Sequence, residues 1–207
     1  MLTFYTNPLS RGRTVRWMLE ELGRPYDTVV LEFGAAMKAP TYLAVNPMGK
    51  VPALVHGTEI VTEAAAICTY LADAFPEAAL MPDRRGAFYR WMFFGAGPLE
   101  QAVINGSMGW EPAPEMTGRV GYGSMADVLA TLSNHLAHNR YFCGEQFSAA
   151  DVYVGSQIGW GLGFETLPAT PELVAYWNRI KDRPALLRAN ALDDALARKE
   201  AGNEASG

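Results

Sequence analysis

Runs of residues with strand-forming character occur only in the first third of this chain of 207 residues. They end at Val61, and beyond about residue 84 the apolar residues recur at the three- and four-residue spacing of helices. Strands alternating with helices, followed by helices alone, predict an α/β domain joined to an all-α domain. Hydrophobic residues make up 49% of the chain, which is enough to give both domains a core.

The first part of the chain begins with a strand, a helix and a second strand. Residues 2–5 form an apolar run, and a stripe at i, i+3, i+4 and i+7 predicts a helix from about Arg11 to Leu22. The Val-rich run over 26–31 predicts a second strand, parallel to the first because a helix joins them. A weakly patterned helix over 36–44, strands at 51–55 and 60–61 and a helix ending near Ala74 complete a βαβ-α-ββα order.

A proline-bounded stretch follows and separates the two kinds of pattern. We therefore predict four segments: a βαβ-α-ββα domain over residues 1–76, a linker over 77–83, an all-α domain over 84–200 and a flexible tail over 201–207. In the all-α part we expect long helices over 84–110 and 118–139, the first kinked at Gly95, Gly97 and Pro98. Ser148 and Asp151 are spaced as a capping box that starts a further helix.

Charge and cysteine usage exclude several classes of protein. The net charge of -5 argues against a general nucleic-acid binder, which needs a basic face. No signal peptide or membrane-spanning segment is visible, and we expect a cytoplasmic protein. Cys68 and Cys143 lack CxxC spacing and the chain has three histidines, so neither a disulfide framework nor a metal site is predicted.

Three motifs occur in a specific order: residues 5–13, residues 46–54 and residues 61–67, followed by the capping box at Ser148. In this order the chain resembles the soluble glutathione S-transferase family over nearly its whole length. The resemblance implies a thioredoxin-like domain that binds glutathione, then an all-helical domain that lines a pocket for an apolar electrophile. It also implies a cytoplasmic homodimer with a role in detoxification, and glutathione as co-substrate without a further cofactor.

Val51 and Pro52 form the second of these motifs. A cis X-Pro bond is accessible at modest cost and would turn the backbone of Val51 outward as an unpaired strand edge, to which a short peptide can add. The resemblance assigns this edge to the cysteinyl unit of glutathione. The alternative is that Pro52 merely opens an edge strand, where proline is tolerated.

Glu63 and Ala64 stand where a strand passes into a helix. The N–H groups and the positive dipole end at a helix start can hold a carboxylate, and the resemblance assigns that carboxylate to the γ-glutamyl unit. Glu63 can pair with the ligand ammonium. The family usually has serine where this chain has Ala64, which leaves only a backbone contact there. The alternative is that Glu63 only stabilises the helix start.

Ser10 and Tyr5 are the candidates for activating the glutathione thiol. A thiol with a pKa near 8.5 is mostly protonated at neutral pH, so a hydroxyl that donates to the thiolate favours catalysis. Ser10 stands just before the first helix, in the region where the family places a serine, cysteine or tyrosine. We rank Tyr5, at the end of the first strand, below it. The alternative for Ser10 is a helix N-cap.

Three basic side chains complete the predicted site. Arg13 adds positive potential near the first loop, and Lys38 and Lys50 are candidates for the glycyl carboxylate of glutathione. Lys50 is preferred because it adjoins Val51. Each of the three is equally compatible with a solvated surface position.

The leading hypothesis is a transferase that adds the glutathione thiol to an apolar electrophile. One alternative is a glutathione-dependent disulfide reductase or isomerase, which Ser10 in place of cysteine disfavours. A second alternative, supported by Ala64, is a non-catalytic module that binds glutathione or a hydrophobic ligand.

Overall fold

The computed structural model describes residues 1–204. The chain divides into two compact units: residues 1–78 together with the segment that begins at Arg183, and residues 79–182. The first unit holds a four-stranded mixed sheet with helices, and the second is helical. The predicted fold class, a thioredoxin-like α/β domain plus an all-α domain, is confirmed.

The sheet of the first unit has the strand order β2-β1-β3-β4, where β1 is Leu2–Thr6, β2 Tyr26–Val30, β3 Ala53–His56 and β4 Glu59–Thr62. β1 and β2 pair in parallel through the crossover helix α1 (Gly12–Leu22), and β3 pairs antiparallel with both β1 and β4. The βαβ opening and the β-hairpin predicted from the sequence are both present.

Between β2 and β3 the predicted helix is broken. A 3-10 turn (Ala36–Lys38) and the short helix α2 (Pro40–Leu43) replace the single helix expected over 36–44. Pro40 accounts for the break: it has no N–H to donate, and it favours the extended conformation that Ala39 adopts (φ -66°, ψ 143°). After β4 the helix α3 (Ala64–Ala74) follows as predicted.

Alternate residues of β1 divide the packing of the first unit between two faces of the sheet. On one face Phe4 is fully buried, as are Val15, Met18 and Leu19 of α1 and Ile67 and Leu71 of α3. On the other face, Tyr5 packs against a smaller cluster of Met37, Tyr42 and Ala53. Because side chains in a strand alternate, this division places Tyr5 away from the main core.

The last helix, α9 (Pro184–Glu204), belongs to the first unit and packs on α1. The sequence analysis assigned it to the all-α domain that it expected to end at residue 200. Three ion pairs join the two helices: Arg16–Asp193, Arg13–Asp194 and Arg188–Glu20. Arg183, just before α9, pairs with Glu21 of α1. Residues 201–204, expected in the tail, continue α9, and residues 205–207 lie outside the described part of the chain.

The second unit contains α4 (Arg85–Phe94), α5 (Glu100–Ser107), α6 (Met125–Leu136), α7 (Ala149–Gly163) and α8 (Pro171–Ile180). A π-helical turn, Gly95–Leu99, separates α4 from α5 at the predicted kink, where Pro98 cannot donate a backbone hydrogen bond. The helix expected over 118–139 begins only at Met125, after Gly123 has adopted a positive φ of 67°. No helix in the described range is both long and apolar enough to cross a bilayer.

The predicted capping box lies at the start of α7, and its acidic member is fully buried. The carboxylate of Asp151 accepts hydrogen bonds from the N–H and hydroxyl of Ser148, the N–H of Phe142 and the hydroxyl of Tyr176. Burial raises the pKa of Asp151 to about 6, although these four donors act in the opposite direction. The Asp151 side chain, at the start of α7, therefore links this helix to α8 and to the loop between α6 and α7.

We expect Asp151→Ala to lower the free energy of unfolding by about 4 kcal/mol or more, since it leaves four buried donors unpaired. Asp127→Ala is the matched control: it removes the same box, with Ser124, at the exposed start of α6 and should cost about 1 kcal/mol. Urea denaturation of both variants gives the comparison. Equal losses would mean that the network around Asp151 adds nothing beyond a helix cap.

Candidate functional site

The register of the sheet brings the three sequence motifs to one end of the first unit. Tyr5 pairs with Ala53, and Ala53 pairs with Thr62. The chain that leaves β1, the chain that enters β3 and the chain that leaves β4 therefore lie at the same end of the sheet. The loop holding Ser10, the Val51–Pro52 bond and Glu63 are brought together in this way.

The Val51–Pro52 peptide bond is cis, as the sequence analysis expected. Both strand pairings of β3 stop at Ala53, so the backbone of Val51 lies beyond the last paired residue on either side. The side chain of Val51 packs against the cluster of Met37, Tyr42 and Ala53. Val51 is thus anchored by its side chain while its backbone stands outside the sheet pairing.

Two buried asparagines, which the sequence analysis did not single out, hold the loops around this end. Asn7 and Asn46 each precede a proline. Oδ1 of Asn7 accepts the N–H of Leu9 at 2.9 Å, and Oδ1 of Asn46 accepts the N–H of Met48 at 3.0 Å. Nδ2 of Asn7 donates to the Leu31 carbonyl at 2.9 Å, and Nδ2 of Asn46 donates to the Lys50 carbonyl at 2.7 Å. The repeated Asn-Pro dipeptide was the available signal, because Asn before Pro favours such turns.

Lys38 and Lys50 flank the second of these loops in different ways. The Lys38 ammonium donates to the Met48 carbonyl at 2.8 Å and so binds the loop itself. The carbonyl of Lys50 accepts from Asn46 and, at 2.6 Å, from the Tyr42 hydroxyl, whose pKa burial raises to about 12. The side chain of Lys50 is exposed beside Val51.

Ser10 is held by its own loop. Its hydroxyl donates to the Asn7 carbonyl at 2.7 Å and accepts the Gly12 N–H at 3.0 Å. The residue at the N-cap position of α1 is Arg11, which makes no side-chain cap. The alternative for Ser10, a helix N-cap, is therefore wrong: Ser10 lies one residue before the cap position. Its hydroxyl instead closes its own loop and donates its proton to a backbone carbonyl.

Tyr5 and Arg13, the other two candidate site residues of the first motif, lie in different environments. Tyr5 is half-buried on the cluster face, with its ring centre 5.5 Å from that of Tyr42. Arg13 donates from Nε to the Pro8 carbonyl and from Nη2 to Asp194, both at 2.6 Å. Arg13 thus connects the Ser10 loop to α9.

Glu63 has the most unusual backbone of the site. Its φ of 67° and ψ of 121° lie in a region that residues with a side chain rarely adopt, and such strain costs about 1–3 kcal/mol. α3 begins at the next residue, Ala64, so the first N–H groups of the helix have no partner within it. The exposed Glu63 carboxylate stands at the positive end of the helix dipole.

Comparisons with known proteins agree on one family. The chain matches the family Glutathione S-transferase, N-terminal domain over residues 10–74 and Glutathione S-transferase, C-terminal domain over residues 123–184. It is 29% identical to glutathione S-transferase 3 of Zea mays, over 92% of this chain and 93% of that protein.

Solved structures give the same result. A glutathione S-transferase from Xylella fastidiosa has a TM-score of 0.75 at 26% identity, covering 94% of this chain and 99% of that one. A sphingomonad glutathione S-transferase in complex with glutathione has a TM-score of 0.74 at 27% identity, covering 93% and 98%.

Gly12 allows the start of α1 to approach the end of β1, and it gives a test of this packing. A methyl group there would lie 2.0 Å from Thr6 Oγ1 and 3.0 Å from Ser10 Oγ. Because Thr6 is fully buried, we expect Gly12→Ala to lower the free energy of unfolding by about 1–3 kcal/mol.

Gly86 is the matched control, in the first turn of α4 with open space around it. Gly86→Ala should be neutral or stabilise by up to about 1 kcal/mol. Thermal and urea denaturation of the two variants measure the difference. A harmless Gly12→Ala would show that the loop can move aside without cost.

Proposed function

Because the chain belongs to the glutathione S-transferase family, we propose that it binds glutathione at this end of the sheet and activates the thiol for attack on an apolar electrophile. The thiol loses its proton to solvent, and the sulfur forms a bond to an electrophilic carbon. In a substitution the bond to the leaving group breaks and its electron pair departs with that group. In an addition the π bond breaks, its electron pair moves away from the attacked carbon, and the neighbouring carbon takes a proton from solvent. The product is a thioether of glutathione.

The observation that carries the proposal is the convergence of an unpaired strand edge and a helix start at one end of one sheet. In the proposed complex the cysteinyl unit pairs with the backbone of Val51, as a short added strand. The γ-glutamyl carboxylate meets the N–H groups at the start of α3, including that of Ala64, and the ammonium meets Glu63. The cis bond before Pro52 keeps Val51 in the required position.

We assign thiol activation to Ser10, with Tyr5 as the competing donor. To donate to the sulfur, the Ser10 hydroxyl must turn away from the Asn7 carbonyl, which costs one neutral hydrogen bond of about 1 kcal/mol. A hydrogen bond to a thiolate is charge-assisted and about twice as strong, so the exchange is favourable once the sulfur is in reach. The Gly12 N–H can keep donating to Oγ meanwhile.

The glycyl carboxylate is assigned to Lys50 rather than to Lys38 or Arg13. Lys50 adjoins Val51 and its ammonium extends from the surface, whereas Lys38 binds the Met48 carbonyl and Arg13 binds Pro8 and Asp194. We propose that Lys38 and Arg13 position the two loops rather than contact glutathione.

An apolar electrophile is supported by exposed apolar side chains in the two Asn-Pro loops. Leu9 is 69% exposed and Met48 67% exposed, each at the tip of its turn. The helical unit has exposed large side chains of its own, among them Phe93 and Trp110, and the expectation that it lines the electrophile pocket stays a prediction. The homodimer and the cytoplasmic location stay predictions.

Glu63 gives a test of the binding site that separates function from stability. Glu63→Gly should relieve the positive φ and stabilise the fold by about 1 kcal/mol, yet weaken glutathione binding because the ammonium loses its partner. Glu165 has a similar φ of 58° and is also exposed, in the loop after α7. Glu165→Gly should give the same stabilisation with unchanged binding.

Calorimetric titration with glutathione and thermal denaturation measure the two effects. If Glu63→Gly binds as tightly as the unchanged protein, the assignment of the γ-glutamyl site is wrong. If the unchanged protein binds no glutathione, the non-catalytic alternative gains support.

Ser10→Ala and Tyr5→Phe separate the two candidate donors, because each removes one hydroxyl. We expect Ser10→Ala to lower kcat about a hundredfold with glutathione affinity changed far less, and Tyr5→Phe to leave kcat within about threefold. Steady-state kinetics with a panel of aryl halides, enones and disulfides give the comparison. A loss confined to Tyr5→Phe would transfer the role to Tyr5, and turnover of disulfides alone would favour the reductase alternative.

A further inference from the structure

The backbone carbonyl of Lys50 is held by two short hydrogen bonds. The Tyr42 hydroxyl donates to it at 2.6 Å, and Nδ2 of Asn46 donates to it at 2.7 Å. Both distances lie at the short end of the usual range for their donor types. Both donors are buried, since Tyr42 and Asn46 are each 3% exposed. The two side chains therefore fix the direction of this carbonyl.

One of these two donors exceeds what the carbonyl needs, because a single partner satisfies a buried carbonyl. Asn46 has a further task, since its Oδ1 and its own carbonyl accept the N–H groups of Met48 and Gly49. The Tyr42 hydroxyl donates its one proton to the Lys50 carbonyl. Without that hydroxyl, Asn46 would still pair with the carbonyl, so the need to satisfy a buried group does not account for Tyr42.

The Lys50 carbonyl and the Val51 N–H belong to one peptide unit. This unit is planar and trans, so its C=O and N–H bonds point in opposite directions. The Val51 N–H therefore points away from Tyr42 and Asn46. No group within residues 1–204 accepts a hydrogen bond from it. This N–H is available to a ligand, and the two side chains behind the peptide set its direction.

The same two hydrogen bonds make the Val51 N–H a stronger donor. Resonance couples the oxygen and the nitrogen of a peptide unit, so donors at the oxygen increase the positive charge at the N–H. Such cooperative strengthening amounts to about 10–30% per hydrogen bond. Burial raises the pKa of Tyr42 to about 12, so its hydroxyl keeps its proton at neutral pH and stays a donor.

We propose that Tyr42 is a positioning residue of the glutathione site and acts through the Lys50–Val51 peptide. Its hydroxyl, together with Asn46, orients and polarises this peptide so that the Val51 N–H donates to a carbonyl oxygen of the bound cysteinyl unit. This inference rests on the proposed function, which places that unit beside Val51. Tyr42 itself touches no part of glutathione, but it sets how strongly the strand edge binds the ligand.

Tyr42→Phe removes the hydroxyl and keeps the ring, whose centre lies 5.5 Å from that of Tyr5. We expect the dissociation constant for glutathione to rise about threefold to tenfold, the effect of weakening one hydrogen bond. The Val51 contact is the same in the ground state and the transition state, so KM for glutathione should rise while kcat stays within about threefold. Titration calorimetry and steady-state kinetics with aryl halides and enones measure these values.

Tyr26→Phe is the matched control. The Tyr26 hydroxyl donates to Glu20 at 2.8 Å, and burial also raises the pKa of Tyr26 to about 12. Tyr26 pairs with Leu2 at the start of β1, whereas the proposed site lies beyond the end of that strand. Tyr26→Phe should leave the affinity for glutathione unchanged. In urea denaturation Tyr42→Phe should lose no more stability than Tyr26→Phe, because Asn46 still pairs with the carbonyl.

Amide NMR reports on the peptide itself and separates this role from a purely structural one. In ligand-free Tyr42→Phe, the amide proton of Val51 should lie upfield of its position in the unchanged protein, because the peptide is less polarised. Glutathione should move this proton downfield in the unchanged protein, and by less in Tyr42→Phe. The spectrum of Tyr26→Phe should match that of the unchanged protein at Val51.

The possible results distinguish this inference from the proposed function. If Tyr42→Phe binds glutathione as tightly as the unchanged protein does, the role of Tyr42 is refuted and the glutathione site stands. An equal loss of affinity in Tyr26→Phe would also refute it, since lost stability would then explain both variants. If the unchanged protein binds no glutathione, or binds it without moving the Val51 amide proton, the proposed pairing at Val51 is wrong and this inference with it.

Discussion

The hydrogen-bonded position of β3, between β1 and β4, fixes where the parts of the candidate site lie. Tyr5, Ala53 and Thr62 share one row of the sheet, so three chain segments far apart in sequence continue from neighbouring points. A shift of one residue in either pairing would turn the alternate side chains to the other face and separate Val51 from its apolar cluster. The buried faces of the sheet make such a shift costly, and this holds the site in place.

Polar contacts hold the two Asn-Pro loops of the site, and apolar packing anchors the side chain of Val51. Asn7 and Asn46 are almost fully buried and close two turns of the same design, each over a proline that has no N–H of its own. The unit therefore combines a rigid backbone at Val51 with side chains that can change partners, such as the Ser10 hydroxyl. This division suits a site where the ligand is bound by the main chain and activated by one hydroxyl.

The ion pairs between α1 and α9 join the two segments of the first unit, residues 1–78 and the segment that begins at Arg183. Arg16–Asp193 is buried, and its removal on one side would leave an uncompensated charge, so it specifies the pairing of these two helices more than it adds net stability. The adjacent Arg13–Asp194 pair extends this contact to the Ser10 loop through the Pro8 carbonyl. Arg13 thus connects the Ser10 loop to α9.

Local spacing and the chemistry of single residues predicted the element order, the capping box at Ser148 and the kink at Pro98. The family resemblance predicted the cis bond before Pro52. The segments that form the glutathione site stay a prediction. Three contacts could not be predicted from the sequence: α9 packs on α1, Arg13 pairs with Asp194, and Asn7 donates to the Leu31 carbonyl. These outcomes depend on partners remote in sequence, such as Asp194 for Arg13 and Leu31 for Asn7. Helical periodicity can mark the apolar face of a helix, but it does not specify which surface buries that face.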